Sequence, residues 1–424
     1  MSLTNAAPWT IFQNLDVEMN APCVVVGEII VNAHIHLPPN FSAFTTVGEA
    51  FDHAHQQGLS MLGVSNYYDY AVYRDFTKRA CDKGILPLYG IETIGLIPEY
   101  VSSGVRLNDP GNPGKAYLCS KGAMYLDPLP QAAFSIVEQI KARDTQRMNA
   151  MTQIMSELFA AAGLDTNLTA DTVRLKVAER TKMPIATVTL QERHIAQAFQ
   201  EAIFEATPDS DSRFRFLQRL FAADTPVNCN DAAAVQNDIR SRLMKAGKPA
   251  FIADTFIDFT DAYALALAVG GIPAYPVLAD GAKPICEYEQ DIDALANDLI
   301  ARSIHAVELI PIRNTPEVLT RYVNKLRAKG LIVTAGTEHN TLDLLPLAPK
   351  CVDNAPIPDA IQQIFTEGAL VVAAHQYLKA KGNNGYVLED GTLAGSFKTD
   401  DDRIRWYRDL GLKVLHAYRK ACHV

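Results

Sequence analysis

His34 and His36 stand two residues apart just beyond an apolar run. On an extended chain, residues i and i+2 point to the same side, so the two imidazoles face one way. The run at 24–31 reads as a buried strand, and the histidines sit where it would leave the sheet for a loop. Two convergent imidazoles at the mouth of a sheet begin a metal site, and nearby carboxylates would complete it. Such groups recur at later apolar runs. Glu92 closes 86–92, Glu308 lies in 306–310, Glu338 and His339 follow 331–335, and His375 ends 369–374. A divalent ion in such a set activates water or polarises a substrate oxygen, which is hydrolase chemistry.

The elements that would deliver these groups alternate. Helical patterns at 46–58 and 73–84, each closed by glycine, are followed by short strands at 60–64 and 86–92. The stretch 105–118, rich in Gly, Pro and Asn, reads as a linker. From about 130 to 248 long amphipathic helical patterns dominate, such as 133–161 and 193–205. Alternation resumes at 251. Helices are predicted at 262–269, 292–302, 315–329 and 361–367, with strands at 272–278, 306–310, 331–335 and 369–374. This pattern predicts an α/β chain with a parallel sheet. In parallel α/β barrels the C-terminal strand ends carry ligands and catalysis, which is where the polar residues fall. The implied division is a barrel in two parts, 22–118 and 249–424, around an all-helical insertion at 119–248. Residues 401–422 read as an amphipathic helix with a solvated basic face, and Gly382–Gly385 as a turn rather than a nucleotide loop.

Composition narrows the function classes. The 424 residues carry a net charge of -9, which argues against a general nucleic-acid-binding role. No apolar run reaches the ~18 residues of a membrane span, and the N-terminus lacks a signal-peptide pattern. Seven scattered cysteines without a CxxC fit a reducing compartment and mostly core positions. A cytoplasmic protein acting on a small molecule is the expectation.

In the order of its motifs the chain resembles the PHP family, named for polymerase and histidinol phosphatase domains. The family's opening HxH is similar to His34-Ile35-His36, its Thr-Asp-His strand end to Ser65-Asn66-Tyr67, and its Gly-Ile-Glu to Gly90-Ile91-Glu92. Its Ala-His-Pro is similar to Ala274-Tyr275-Pro276, and its valine-glutamate strand to Val307-Glu308-Leu309. The late Gly-Ser-Asp-x-His motif is similar to Gly336-Thr337-Glu338-His339-Asn340. Family phosphoesterases that act on nucleotides carry an Arg-x-His-Ile-Ala-like signature in a helical insertion, and Arg193-His194-Ile195-Ala196 looks like it. The likeness spans about 28–345, interrupted by the insertion.

The resemblance implies a distorted seven-stranded βα barrel, a site of up to three divalent ions and phosphoesterase activity. Here two family histidines are replaced by Tyr67 and Tyr275, and Asn340 stands at a third histidine position. The remaining ligand set is His34, His36, Glu92 and Glu338 or His339. It suits Zn, Mn or Fe, with fewer than three ions. Glu92, Glu338 and His339 are then the catalytic candidates. Arg193 and His194 would hold a phosphate, with Tyr67, Tyr275 and His375 near an anionic substrate; for His375 a hydrogen-bonded structural role is an equal alternative. The leading reading is a metal-dependent hydrolase, most simply a phosphoesterase on a phosphorylated metabolite or nucleotide. The alternatives are a metal-dependent barrel with a non-phosphate substrate (C–N or C–O hydrolysis, sugar-acid isomerase or lyase) and a catalytically decayed binding protein.

Overall fold

The computed structural model describes residues 9–20, 27–225, 227–253 and 255–422. The first part of the strand expected at 24–31 therefore lies outside the described residues. The strands are β1 (Ile30–Ile35), β2 (Leu59–Asn66), β3 (Leu86–Leu96), β4 (Lys115–Lys121), β5 (Ile257–Asp258), β6 (Ile272–Val277), β7 (Ala306–Leu309) and β8 (Ile332–Ala335). Seven of them form one sheet in the order β1-β2-β3-β4-β6-β7-β8, and the short β5 adds to β3. The ends approach each other where Glu338, just past β8, bridges Ile35 of β1. The sheet is thus a nearly closed barrel, buried on both faces, which is why its strands read as continuous apolar runs.

Two expectations for this sheet are corrected. Residues 115–118, expected in a linker, and 119–121, expected in the helical insertion, together form a central strand, and β4 runs antiparallel to both β3 and β6. The turns before it, with Pro110, Pro113 and several glycines and asparagines, gave that stretch its loop-like composition. The strand expected at 369–374 is instead the middle of one helix, Asp359–Ala380. A short apolar run bounded by weak signals does not distinguish a buried strand from a buried helix. This helix lies against β8 so closely that a Cβ on Gly368 would stand 2.1 Å from the Val333 carbonyl oxygen. The C-terminal helix Asp400–Ala421 packs along it.

The helices at Val47–Gln56 and Tyr73–Lys83 follow their sequence signals. Thr46 accepts from the Glu49 amide at the start of the first, and Gly84 closes the second in the left-handed conformation. Cys81 at the end of the latter forms a disulfide with Cys422, across 341 residues of sequence. Cys119, Cys229, Cys286 and Cys351 are free and buried, the core positions expected of most of the cysteines, and the Cys81–Cys422 pair is the departure from that pattern. Among the described residues, no helix is long and apolar enough to cross a membrane.

Between β4 and β5 the chain is helical: Gln131–Ala161, Ala170–Thr181, Glu192–Ala206, Ser210–Phe221 and Ala232–Ile239, the last prolonged by a π turn at Arg240–Met244. These helices have a hydrophobic cluster of their own. Phe159 is its centre, 4.6 Å from Phe199 and 5.5 Å from Phe216 between ring centroids. Burying each ring stabilises the cluster by roughly 1.5–3 kcal/mol. The 31-residue helix Gln131–Ala161 serves both cores. Its first turns bury Ala133, Val137 and Ile140 against the barrel, and its later turns bury Met148, Met151, Met155 and Phe159 in the helical cluster. One rigid rod therefore fixes the helical layer over the barrel.

Candidate metal centre

Strand β1 ends on the alternating residues Asn32, His34 and His36, with His36 one step past the strand. Asn32 anchors this end. Its amide donates to Thr337 Oγ1 (2.6 Å) and to the Leu347 carbonyl (2.8 Å), and its oxygen accepts from the His34 amide (3.1 Å). His34 Nε2 and His36 Nε2 face each other at 3.3 Å. Glu92 of β3 brings Oε2 to 3.1 Å from His36 Nε2 and 3.9 Å from His34 Nε2. All three residues are buried, at 1%, 0% and 4% exposure.

Glu92 Oε2 is buried without a hydrogen-bond partner. A carboxylate oxygen in that position is costly unless a cation meets it. The three ligand atoms lie within 4.8 Å of one another, as a single ion requires. On the far side of His34, Nδ1 sits 2.6 Å from Glu308 Oε1 of β7. That contact places the proton on Nδ1 and leaves the Nε2 lone pair toward His36 and Glu92, the carboxylate–histidine arrangement that supports a metal ligand. The donor set therefore fits a divalent ion held by His34, His36 and Glu92.

Lys121, the last residue of β4, escaped the sequence reading. The residue is 2% exposed, and its ammonium lies 2.7 Å from Glu308. Burial pushes the lysine pKa down, but Glu308 more than offsets this and leaves it above the ordinary value. For Glu308 burial pushes up, and Lys121 and His34 overcome it, holding the carboxyl below its ordinary range. The available signal was the apolar stretch Ala116–Cys119 ending in a lone lysine. It was hidden because the preceding turns made the region resemble a linker.

Past β8 the chain turns sharply. Glu338 and His339 both adopt left-handed backbone angles, φ 60° and 52°. The turn sends their side chains apart. Glu338 faces the site and is gripped by Arg313 through bonds of 2.9 and 2.5 Å. Burial raises its pKa, but Arg313, with His34 and His36, wins and holds it down to about 2. His339 turns away. Its Nδ1 meets Thr337 Oγ1 at 2.8 Å, its Nε2 the Leu345 carbonyl at 2.9 Å, and its ring stacks on Phe44. With both nitrogens engaged, it stands outside the cluster.

The other sequence candidates divide. Tyr67 stacks on His36 at 5.0 Å and 9°; burial foremost, then Glu92, pushes its phenol pKa well up. Tyr275 points away from the site. It pairs in register with Val307, one residue out of step with Glu308, and its hydroxyl donates to Glu289 (3.1 Å). A side-chain period of two makes that single step decisive. His194 closes a capping box, its Nδ1 accepting from the Gln191 amide at the start of the helix Glu192–Ala206. Burial holds its pKa down to about 3. His375 lies inside a helix, its Nε2 donating to the Gly270 carbonyl and its Nδ1 accepting from the Tyr386 amide, both at 2.9 Å. Both histidines are thus held by backbone partners and are no part of the triad.

A cavity of about 450 Å³ opens over the triad, between barrel and helical layer. Glu92, Tyr67, Glu338 and Arg313 line its floor, and Arg193, Arg240 and Lys245 its roof. Glu192 pairs with Arg147 (2.6 Å) and Lys245 (2.8 Å) and more distantly with Arg240 (3.7 Å). Burial raises the Glu192 pKa, yet these cations hold it down to about 2. Arg193 forms no ion pair among the described residues, and only the Phe41 ring lies under it, at 6.0 Å. Burial and the neighbouring Arg240 push its pKa down to about 10. An unpaired guanidinium at the roof of a cavity attracts an anion.

No family model matches the sequence, nor does any curated protein. The fold is similar to a crystal structure assigned as a metal-dependent phosphoesterase from Bifidobacterium adolescentis, with a TM-score of 0.52 and 16% identity over 78% of this chain and 94% of that one. A structure of an amidohydrolase from Chromobacterium violaceum, with bound sulfate and no metal, aligns with a TM-score of 0.49 and 15% identity over 78% of this chain and 96% of that one. The first likeness places this chain among barrels of that shape.

Proposed function

We propose that the protein is a metal-dependent hydrolase acting on a small anionic substrate, most simply a phosphate ester of a metabolite or nucleotide. The observation that carries this reading is the convergence of His34 Nε2, His36 Nε2 and Glu92 Oε2 beneath a cavity whose roof presents the unpaired Arg193. A divalent ion held by the triad supplies water activation and Lewis acidity. Glu308 keeps the proton on His34 Nδ1 and so fixes the orientation of that ligand. Arg193 meets the substrate's negative charge with a planar fork suited to phosphate oxygens. Arg313 and Glu338 neutralise each other on the cavity floor and hold the turn that seals the barrel beside His36. The stacked Tyr67 walls the triad and keeps its phenol protonated, available to donate to a substrate oxygen. The likeness to a fold assigned as a metal-dependent phosphoesterase is consistent with this chemistry.

The test is a panel of phosphomonoesters and phosphodiesters assayed after loading with Zn, Mn or Fe. Turnover of a phosphate ester that disappears in His34→Ala is the expected result. Metal-loaded protein that leaves every phosphate ester intact would overturn the phosphoesterase reading.

A further inference from the structure

His34 offers a nitrogen to each of two candidate cation positions. On the Nε2 side lie His36 and Glu92; on the Nδ1 side lie Cys119 and Glu308. By ligand type and spacing the second group would also suit an ion, since Glu308 Oε1 is 2.6 Å and Cys119 Sγ 3.9 Å from His34 Nδ1. We propose that the Lys121 ammonium is a built-in cation filling this second position, so that the centre takes a single divalent ion. The proposal rests on the metal reading of the triad given above.

The geometry is that of an occupied cation site. Lys121 Nζ lies 2.7 Å from each Glu308 oxygen, 3.2 Å from the Ala33 carbonyl, 3.4 Å from Ser65 Oγ and 3.5 Å from His34 Nδ1. Oxygens from three different strands thus surround the ammonium. The sheet register explains how it gets there. Lys121 pairs with Gly90, and Gly90 pairs with Ser65. Because the intervening residue has no side chain, the lysine stem can cross β3 and reach Ser65 and Ala33. A Cβ at Gly90 would lie 2.8 Å from Ser65 Oγ and narrow that passage.

A second ion would have to expel this buried ammonium and strip the proton that joins His34 Nδ1 to Glu308. Lys121 instead balances the charge of Glu308, which stays bound to His34 as a hydrogen-bond acceptor. The arrangement gives one metal on one side of the imidazole and a permanent positive charge on the other.

The test is the number of ions per chain, measured by equilibrium dialysis against excess Zn or Mn followed by elemental analysis. The native protein should hold about one, and Lys121→Ala about two; Lys121→Arg, which keeps the charge, should stay at about one. Two or more ions in the native protein would overturn the proposal while leaving the triad intact as a metal site. Lys121→Ala remaining at one would equally overturn it. A native count of zero would overturn the metal centre itself, and the proposal with it. Lys121→Met, which keeps most of the stem and removes the charge, should likewise hold about two where the alanine variant fails to fold, and a count of one in it would overturn the proposal.

Discussion

The floor and the roof of the cavity handle charge in opposite ways. In the barrel floor the acids have close cationic partners: Glu308 with Lys121 and Glu338 with Arg313. The exception is Glu92 Oε2, which points at the two imidazoles. In the helical roof the cations outnumber the acids that meet them. Three of them share Glu192, and Arg193 has none. A floor with one unmet negative oxygen suits a metal cation, and a roof with one unmet guanidinium suits an anion. The layers differ because they fold around different cores, joined by the helix Gln131–Ala161.

That contrast predicts separable defects. His34→Ala combined with His36→Ala should bring metal content to background and reduce hydrolysis by about 10³-fold or more, the scale of losing a group that stabilises developing charge. Circular dichroism should show the barrel still folded; retained metal would break the assignment of the floor. In the roof, Phe159→Ala should cost about 3–5 kcal/mol through the cavity it leaves. Thermal unfolding should reveal an early loss of helical signal, with metal content at 25 °C unchanged. Metal lost together with the helical signal would mean that the layers are one unit.

Arg193→Ala should raise KM about 10–100-fold, the range of a charge-assisted hydrogen bond, without changing the ion count. A change in kcat alone would move Arg193 from recognition to chemistry. The smallest effect concerns acid. Glu192 has a depressed pKa, so its stabilisation is complete above the ordinary carboxyl value of 4.5 and is lost as pH falls toward about 2. Linkage of this kind is worth on the order of 2 kcal/mol. In Glu192→Gln the loss of stability between pH 4.5 and pH 2 should be visibly shallower. A curve with the native slope would assign the acid sensitivity to another group.

The floor was the more legible layer. His34, His36 and Glu92 follow from strand alternation, which is local, and the barrel follows from strand–helix alternation. What escaped depends on pairing between distant segments. Lys121 belongs to a return strand whose approach looks like a linker, and only its neighbour Gly90 lets it reach Glu308. Tyr275 matched a motif but lies on the wrong parity of its strand, which only the register with Val307 reveals. His375 ends an apolar run that is buried on all sides, where helix and strand look alike. His339 and Glu338 are adjacent in sequence, and the left-handed turn that separates them is set by the closure of the barrel onto β1. In the roof, Arg193 was legible by type, whereas its freedom from ion pairs depends on how Glu192 engages the cations around it.

The most direct measurement is anomalous diffraction from crystals of the protein soaked with Zn or Mn. The account predicts a peak within coordination distance of His34 Nε2, His36 Nε2 and Glu92, beneath the cavity that Arg193 roofs. A metal-soaked crystal with no peak there, or with its ion bound by other residues, would contradict it.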